Sequence, residues 1–99
     1  MGSRAEESKT IQRCVEAALG LASPVSRREA NVFRLASMIL RPRFPSESRR
    51  LWAICEEYFA LHPSDLIESA QIVRNGWVVS VPRLRDSLEL QLNRALQSR

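Results

Sequence analysis

Apolar residues recur along this chain at intervals of three and four, which is the spacing of one face of an α-helix. The first such stripe ends at residue 19 and consists of Ile11, Cys14, Val15, Ala18 and Leu19. Gly20 follows at once, in the position where a left-handed glycine ends many helices. Glu6 and Glu7 precede the stripe, where a helix N-terminus favours negative charge. The pattern predicts a first helix that ends just before Gly20.

A second helix is predicted after the Ser-Pro break at residues 23–24. Ser26 and Glu29 match the capping box, in which the serine hydroxyl accepts a hydrogen bond from the amide three residues on and the glutamate reaches back to the serine amide. The apolar stripe behind this start consists of Val32, Leu35, Ala36, Ile39 and Leu40. We expect this stripe to face the core.

The other face of the second helix carries arginines. Arg27, Arg34 and Arg41 are seven residues apart, which places them within roughly 40° of one another around the helix axis. Since they lie away from the apolar stripe, the sequence predicts a row of guanidinium groups in solvent.

A third helix is predicted to follow Pro42 and Pro45, with Ser46 as its N-cap. Its apolar set consists of Leu51, Ile54, Cys55 and Tyr58, with Trp52 and Phe59 beside it. Arg49 and Arg50 fall in its first turn, where the helix dipole disfavours cations. We therefore expect either a compensating contact for them or that the fold simply tolerates this placement.

The last third of the chain allows two interpretations around residues 71–81. A fourth helix is predicted from Leu66, Ile67, Ala70 and Val73. Asn75-Gly76 between β-branched residues then fits either a two-residue hairpin turn or a helix end with Gly76 as its final cap, followed by extended residues. The helical spacing before it favours the helix end. Pro82 is typical of a first helical position, and a fifth helix is predicted from Leu84, Leu88, Leu92, Ala95 and Leu96.

Together these elements predict an all-α fold, a compact and mostly antiparallel bundle of about five helices. The 99 residues are enough for one domain, 1–99, with residues 1–7 as a flexible N-terminus. No apolar run approaches the about 18 residues of a membrane span. The N-terminus has no apolar stretch after its charges, so it does not resemble a secretory signal.

Two residue types are expected to be buried rather than reactive. Cys14 and Cys55 lie among apolar residues without the spacing of a disulfide framework, which is typical of buried thiols in a reducing compartment. Trp52 and Trp77 are expected to be partly buried core residues rather than stacking platforms.

The net charge of +4 is distributed unevenly along the chain. Residues 27–50 have a net charge of +5, residues 51–70 of −4 and residues 71–99 of +3. An excess of positive charge repels itself unless an anionic partner relieves it. We therefore expect an anionic lipid or nucleic-acid partner to bind the arginines of the first of these segments, Arg27, Arg28, Arg34, Arg41, Arg43, Arg49 and Arg50.

The sequence offers no recognisable catalytic or metal site. Glu56 and Glu57 are adjacent, so on a helix they diverge by about 100° and cannot share a proton. Cys55 and His62 fall on one helix face, but two ligands do not make a zinc site. The three glycines do not have the spacing of a nucleotide-binding loop. The expectation is a protein that is not an enzyme, with no metal, no cofactor and no small-molecule substrate.

Several of these features together resemble the matrix domain at the N-terminus of retroviral Gag polyproteins. They are Met1-Gly2, the "IQRC" of the first helix, the Ser-Pro break before "SRREANVFRLASMIL", the basic helix and loop after it, and five short helices in about 100 residues. The resemblance covers roughly residues 2–60. It implies that the basic face lies on the inner leaflet of the plasma membrane, can also hold RNA and acts in viral assembly. By this resemblance the location is cytoplasmic, at the inner face of that membrane.

The same resemblance implies roles for particular residues. The seven arginines of residues 27–50 would be the lipid-headgroup contacts, and Gly2 would be an acylation site. Glu6 stands where the myristoylation motif has Ser or Thr, so the chain departs from that motif, and Glu7 beside it opposes an anionic bilayer.

Two other functions are compatible with the sequence. A nucleic-acid-binding regulator of winged-helix type would form if residues 71–81 were a hairpin, with Arg74 at the wing, although Asp65 and Glu68 are unfavourable near phosphates. A protein adaptor would form a homo-oligomer if the acidic face of one copy, residues 56–68, met the basic face of another, residues 27–50.

Overall fold

The structure is a computed structural model that describes residues 3–65 and 82–98, with side chains over 8–65 and 85–98. It contains helices α1 (Ser3–Ala18), α2 (Arg27–Leu40), α3 (Pro45–Leu61) and α4 (Pro82–Gln97). The predicted all-α bundle is confirmed. Helix α1 begins at Ser3, within the segment expected to be flexible. The predicted helix of residues 66–73 and the ambiguous segment 71–81 lie outside the described residues.

Helix α1 ends as the sequence predicts, at a left-handed glycine. Gly20 has a φ of +83°, and its amide donates to the carbonyl of Ala17 at 3.0 Å. The amide of Leu21 donates to the carbonyl of Glu16 at 2.8 Å. These two bonds form the Schellman motif, which satisfies carbonyl groups that the end of the helix would otherwise leave unpaired.

The capping box before α2 is confirmed in one half only. Ser26 Oγ accepts a hydrogen bond from the Glu29 amide at 3.2 Å, as predicted. The Glu29 carboxylate accepts instead from the Val25 amide at 3.1 Å and from Arg13 Nε and Nη2 at 3.0 Å each. Arg13 also donates to the carbonyl of Ser23 at 2.8 Å, so this ion pair fastens α1 to the loop before α2.

The prediction that Ser46 is the N-cap of the third helix is wrong. Helix α3 begins at Pro45, with Phe44 at the N-cap and without a side-chain cap, and Ser46 is exposed inside the first turn. Proline is suited to a first helical position because its φ is already helical and its missing amide would have no partner there. The first helical hydrogen bond runs from the Ser48 amide to the Phe44 carbonyl at 2.9 Å.

Helix α2 contacts the other three described helices, as α1 also does, and its most extensive contact is with α3. It therefore buries more of its surface than one stripe, and Phe33 and Ser37 are buried while Leu35 and Ile39 are only partly so. The buried apolar core consists of Cys14, Ala17, Ala18, Ala30, Val32, Phe33, Ala36, Leu40, Leu51, Cys55, Phe59, Leu88, Leu92 and Leu96. The radius of gyration, 12.8 Å, matches the roughly 13 Å expected of a 100-residue domain.

Both cysteines are free and buried, as predicted. Burial raises the pKa of Cys55 to about 12 and also raises the pKa of Cys14. Cys55 Sγ donates to the carbonyl of Ala30 at 3.3 Å. Since the thiolate is the reactive form, these thiols are packing residues rather than nucleophiles.

Candidate anion-binding site

The seven arginines predicted to bind anions do not form one continuous surface. Helix α2 is 14 residues long, so its two ends are about 20 Å apart. Arg27 and Arg28 lie at its start, whereas Arg41 and Arg43 lie in the turn after its end. Arg34 on α2, and Arg49 and Arg50 on α3, have different surroundings from these two groups.

Arg34 lies against α3 rather than in solvent. Its Cζ atom is 5.0 Å from the ring centroid of Trp52 and 5.5 Å from that of Phe59, and the side chain is half-buried. These are cation–π distances. The predicted solvent-exposed row of guanidinium groups is therefore interrupted at its middle member, because α3 packs on the side of α2 that carries it.

Arg50 caps the C-terminus of α1. Its Nη1 donates to the carbonyl of Ala18 at 2.8 Å. Its guanidinium also passes close to Gly20, 3.6 Å from where a Cβ would be. A cation here satisfies a terminal carbonyl and lies at the negative end of the α1 dipole. Because α3 begins at Pro45, two residues earlier than predicted, Arg50 lies in its second turn and not in its first, and this contact gives its guanidinium a partner there.

Arg27 lies near Tyr58, at the far end of α3. Tyr58 Oη donates to Asp65 Oδ2 at 2.6 Å, and this hydrogen bond, together with burial, raises the pKa of Tyr58 to about 12. The charge of Arg27 acts on the same phenol in the opposite direction. Arg27 and Arg28 both have interactions within the protein. They are therefore less available to an external anion.

Arg41, Arg43 and Arg49 form the remaining group, which we call the turn cluster. All three side chains are exposed, two from the turn after α2 and one from the second turn of α3. Among residues 8–65 and 85–98, no side chain forms an ion pair with any of these three arginines. Arg13, by contrast, is paired with Glu29. The turn cluster thus presents uncompensated positive charge at one end of the α2–α3 hairpin.

A groove of about 590 Å³ runs between α2 and α3 next to the turn cluster. Its volume is within the roughly 300–1,000 Å³ range of ligand sites. Met38 and Trp52 are 57% and 37% exposed, so Trp52 is partly buried, as the sequence suggested, but it lies outside the buried core. The lining residues are Ser37, Met38, Arg41, Pro45, Ser48, Arg49, Trp52, Ala53 and Glu56.

Two buried serines hold the helices together at the base of this groove. Ser37 Oγ donates to the Ser48 carbonyl at 2.8 Å, and Ser48 Oγ donates to the Ser37 carbonyl at 2.6 Å. The reciprocal pair satisfies both hydroxyls without water. Because serine is small, it also lets the two helix backbones approach closely.

The acidic segment of the sequence meets the basic one in this groove. Glu56 is two helical turns from Arg49 on the same face of α3, and its carboxylate accepts a hydrogen bond from Trp52 Nε1 at 2.5 Å. At Glu56 and Arg49 the two charge blocks therefore adjoin each other instead of lying on separate faces. The adaptor hypothesis required separate faces, so this arrangement weakens its argument.

Other kinds of site find little support in the described part of the chain. No three His, Cys, Asp or Glu side chains among these residues are grouped to hold a metal ion. None of the described helices is both long and apolar enough to cross a bilayer. The candidate acylation site, Gly2, lies outside the described residues. Comparison with protein-family models, curated proteins and solved structures finds no match to this chain.

Proposed function

We propose that this protein is a non-enzymatic interaction domain whose turn cluster binds a phosphate-bearing anionic surface. The observation that supports this most directly is that Arg41, Arg43 and Arg49 are exposed together and have no ion-pair partner among the described residues. Guanidinium groups match phosphate oxygens in a bidentate geometry and are weakly hydrated, so they give up water for phosphate readily.

In the leading version of this proposal the surface is an anionic membrane leaflet, as in the matrix domains that the sequence resembles. Each arginine near anionic headgroups contributes about 1 kcal/mol, so three give roughly 3 kcal/mol, or about a 150-fold preference for an anionic over a neutral bilayer. Binding of this strength is reversible. An acyl chain on Gly2 or self-assembly would be needed for stable anchoring.

Sedimentation with liposomes tests the proposal. Vesicles that contain phosphatidylserine should retain the protein at about 0.05 M salt and release it at about 0.5 M, where the Debye length falls to roughly 4 Å. Neutral phosphatidylcholine vesicles should not retain it. Replacement of all three turn-cluster arginines by glutamate should abolish retention.

The matched control reverses one charge elsewhere. Arg85 is exposed on α4, which packs against α1 and α2 but not against α3. Arg85→Glu should retain most of the binding, whereas Arg49→Glu should lose most of it. Equal effects of these two single variants, or equal retention on neutral vesicles, would show that the turn cluster is not the site.

A further inference from the structure

The ring of Trp52 contacts two other side chains and remains partly accessible. Arg34 covers one face at 5.0 Å, and Glu56 accepts a hydrogen bond from the indole nitrogen. Arg34 is not among the residues that line the groove. Trp52 itself lines the groove and is 37% exposed, so part of this residue remains accessible there.

Positive charge lies beside this open ring. Arg49 is one helical turn before Trp52 on the same face of α3, and Arg41 lines the groove from the α2 side. Neither arginine has an ion-pair partner among the described residues. An accessible aromatic side chain that shares a groove with two guanidinium groups is a combination that binds one nucleotide, with its base stacked on the ring and its phosphates on the arginines.

The rest of the groove favours a nucleic acid strand over a bilayer. Glu56 repels a surface of uniform negative charge, but its carboxylate can accept a hydrogen bond from the amino or imino group of a base. The open ring lies in a concavity beside Met38, whereas a headgroup layer is flat. A duplex is also a poor fit, because its base faces are already stacked.

We propose that this groove is a binding site for single-stranded nucleic acid, in which one base stacks on Trp52 and the flanking phosphates contact Arg41 and Arg49. The site shares two arginines with the proposed function and rests on it to that extent. Trp52 belongs to the groove alone, so its replacement separates the two. Arg34 and Glu56 act as positioning residues that keep the ring oriented before a base arrives.

The test uses two readouts. With Trp77→Phe as background, Trp52 is the only tryptophan, and its fluorescence should be quenched by an eight-residue oligo(U) or oligo(dT) at low salt. Anisotropy of the labelled oligonucleotide gives the affinity. Two phosphate contacts predict that this affinity falls about 25-fold between roughly 0.05 M and 0.5 M salt. A duplex of the same length should bind more weakly.

Substitutions then assign the base contact. Trp52→Leu should weaken oligonucleotide binding by about 5- to 150-fold, the range for one stacked base, and Trp52→Tyr should restore most of it. Retention of either variant on anionic vesicles should change less than about twofold, since three arginines remain. Circular dichroism establishes that both variants are folded.

Each result bears on one proposal or the other. Wild-type oligonucleotide affinity in Trp52→Leu, or binding without quenching of Trp52, would overturn the stacking site. Retention on vesicles with no oligonucleotide binding would overturn it and leave the proposed function intact. Failure to bind either probe at low salt would overturn both.

Discussion

Replacement of Arg50 by methionine should destabilise the fold, whereas the same replacement of its neighbour Arg49 should not. The two arginines are adjacent in the second turn of α3, and both are exposed overall. Only Arg50 reaches the end of α1, where it donates to the Ala18 carbonyl at 2.8 Å. Methionine keeps most of the aliphatic stem and removes the charged donor. The pair of variants thus isolates one hydrogen bond.

The expected loss for Arg50→Met is about 1 kcal/mol. A hydrogen bond from a charged donor contributes about 1.5–3 kcal/mol, and a cation at a helix C-terminus contributes roughly 0.3–1 kcal/mol. The expected loss is smaller than the sum of these two contributions, because solvent reaches the guanidinium and screens it. For a domain of this size the loss corresponds to about 4–8 °C in Tm. For Arg49→Met we expect no loss, since it removes a cation from the unfavourable N-terminal end of α3.

Urea unfolding followed by circular dichroism at 222 nm measures both variants. The difference between them should shrink at about 0.5 M salt, where the electrostatic part is screened. The binding assays should show the reverse order, with Arg49→Met weakened on anionic vesicles and Arg50→Met close to wild type. If the two variants unfold at the same urea concentration, the Ala18 contact does not stabilise the fold and the separation of the arginines into two groups loses its basis.

Two further predictions concern the ends of α1 and α2. Gly20→Ala should lower the free energy of unfolding by about 1–2 kcal/mol, because a φ of +83° is unfavourable for alanine. A steric clash is not the cause, since the nearest atom to an added Cβ is 3.6 Å away. Thermal unfolding measures the loss, and a value below about 0.3 kcal/mol would contradict the prediction. Burial opposes ionisation of Glu29, but hydrogen bonds from Arg13 and Val25 outweigh it and lower its pKa below the ordinary 4.5. The stabilisation is therefore present above pH 4.5 and is lost as the pH falls through the lower folded-state pKa. Urea unfolding midpoints measured between about pH 3 and 7 should therefore fall at low pH, and Glu29→Gln should reduce this fall. If the variant shows the same pH dependence as the wild type, the ion pair is not its cause.

The helices were predictable because their signals are local. The stripe from Ile11 to Leu19, the glycine after it and the Ser26 cap each depend on residues within a few positions. Ser46 was assigned wrongly because a proline one residue earlier was already a better helix start. The carboxylate of Glu29 was misassigned for a related reason, since its partner Arg13 comes from another helix.

The site was less predictable because it depends on which helices pack together. The seven-residue spacing predicts that Arg27, Arg34 and Arg41 share one side of α2, but it does not reveal that α3 covers Arg34. Likewise, the charge blocks along the chain do not indicate that Glu56 and Arg49 share a groove. The sequence feature that could have indicated this groove is the seven-residue interval from Arg49 to Glu56, with Trp52 between them on the same helix face.

The reciprocal serine pair has a kinetic consequence for the groove above it. Because each hydroxyl is satisfied by the opposite backbone, α2 and α3 cannot separate there without breaking two buried hydrogen bonds at once. A ligand therefore encounters walls at a fixed spacing and does not wait for them to open. Association should be limited by diffusion and charge steering, and ligands of different strength should differ mainly in how long they stay.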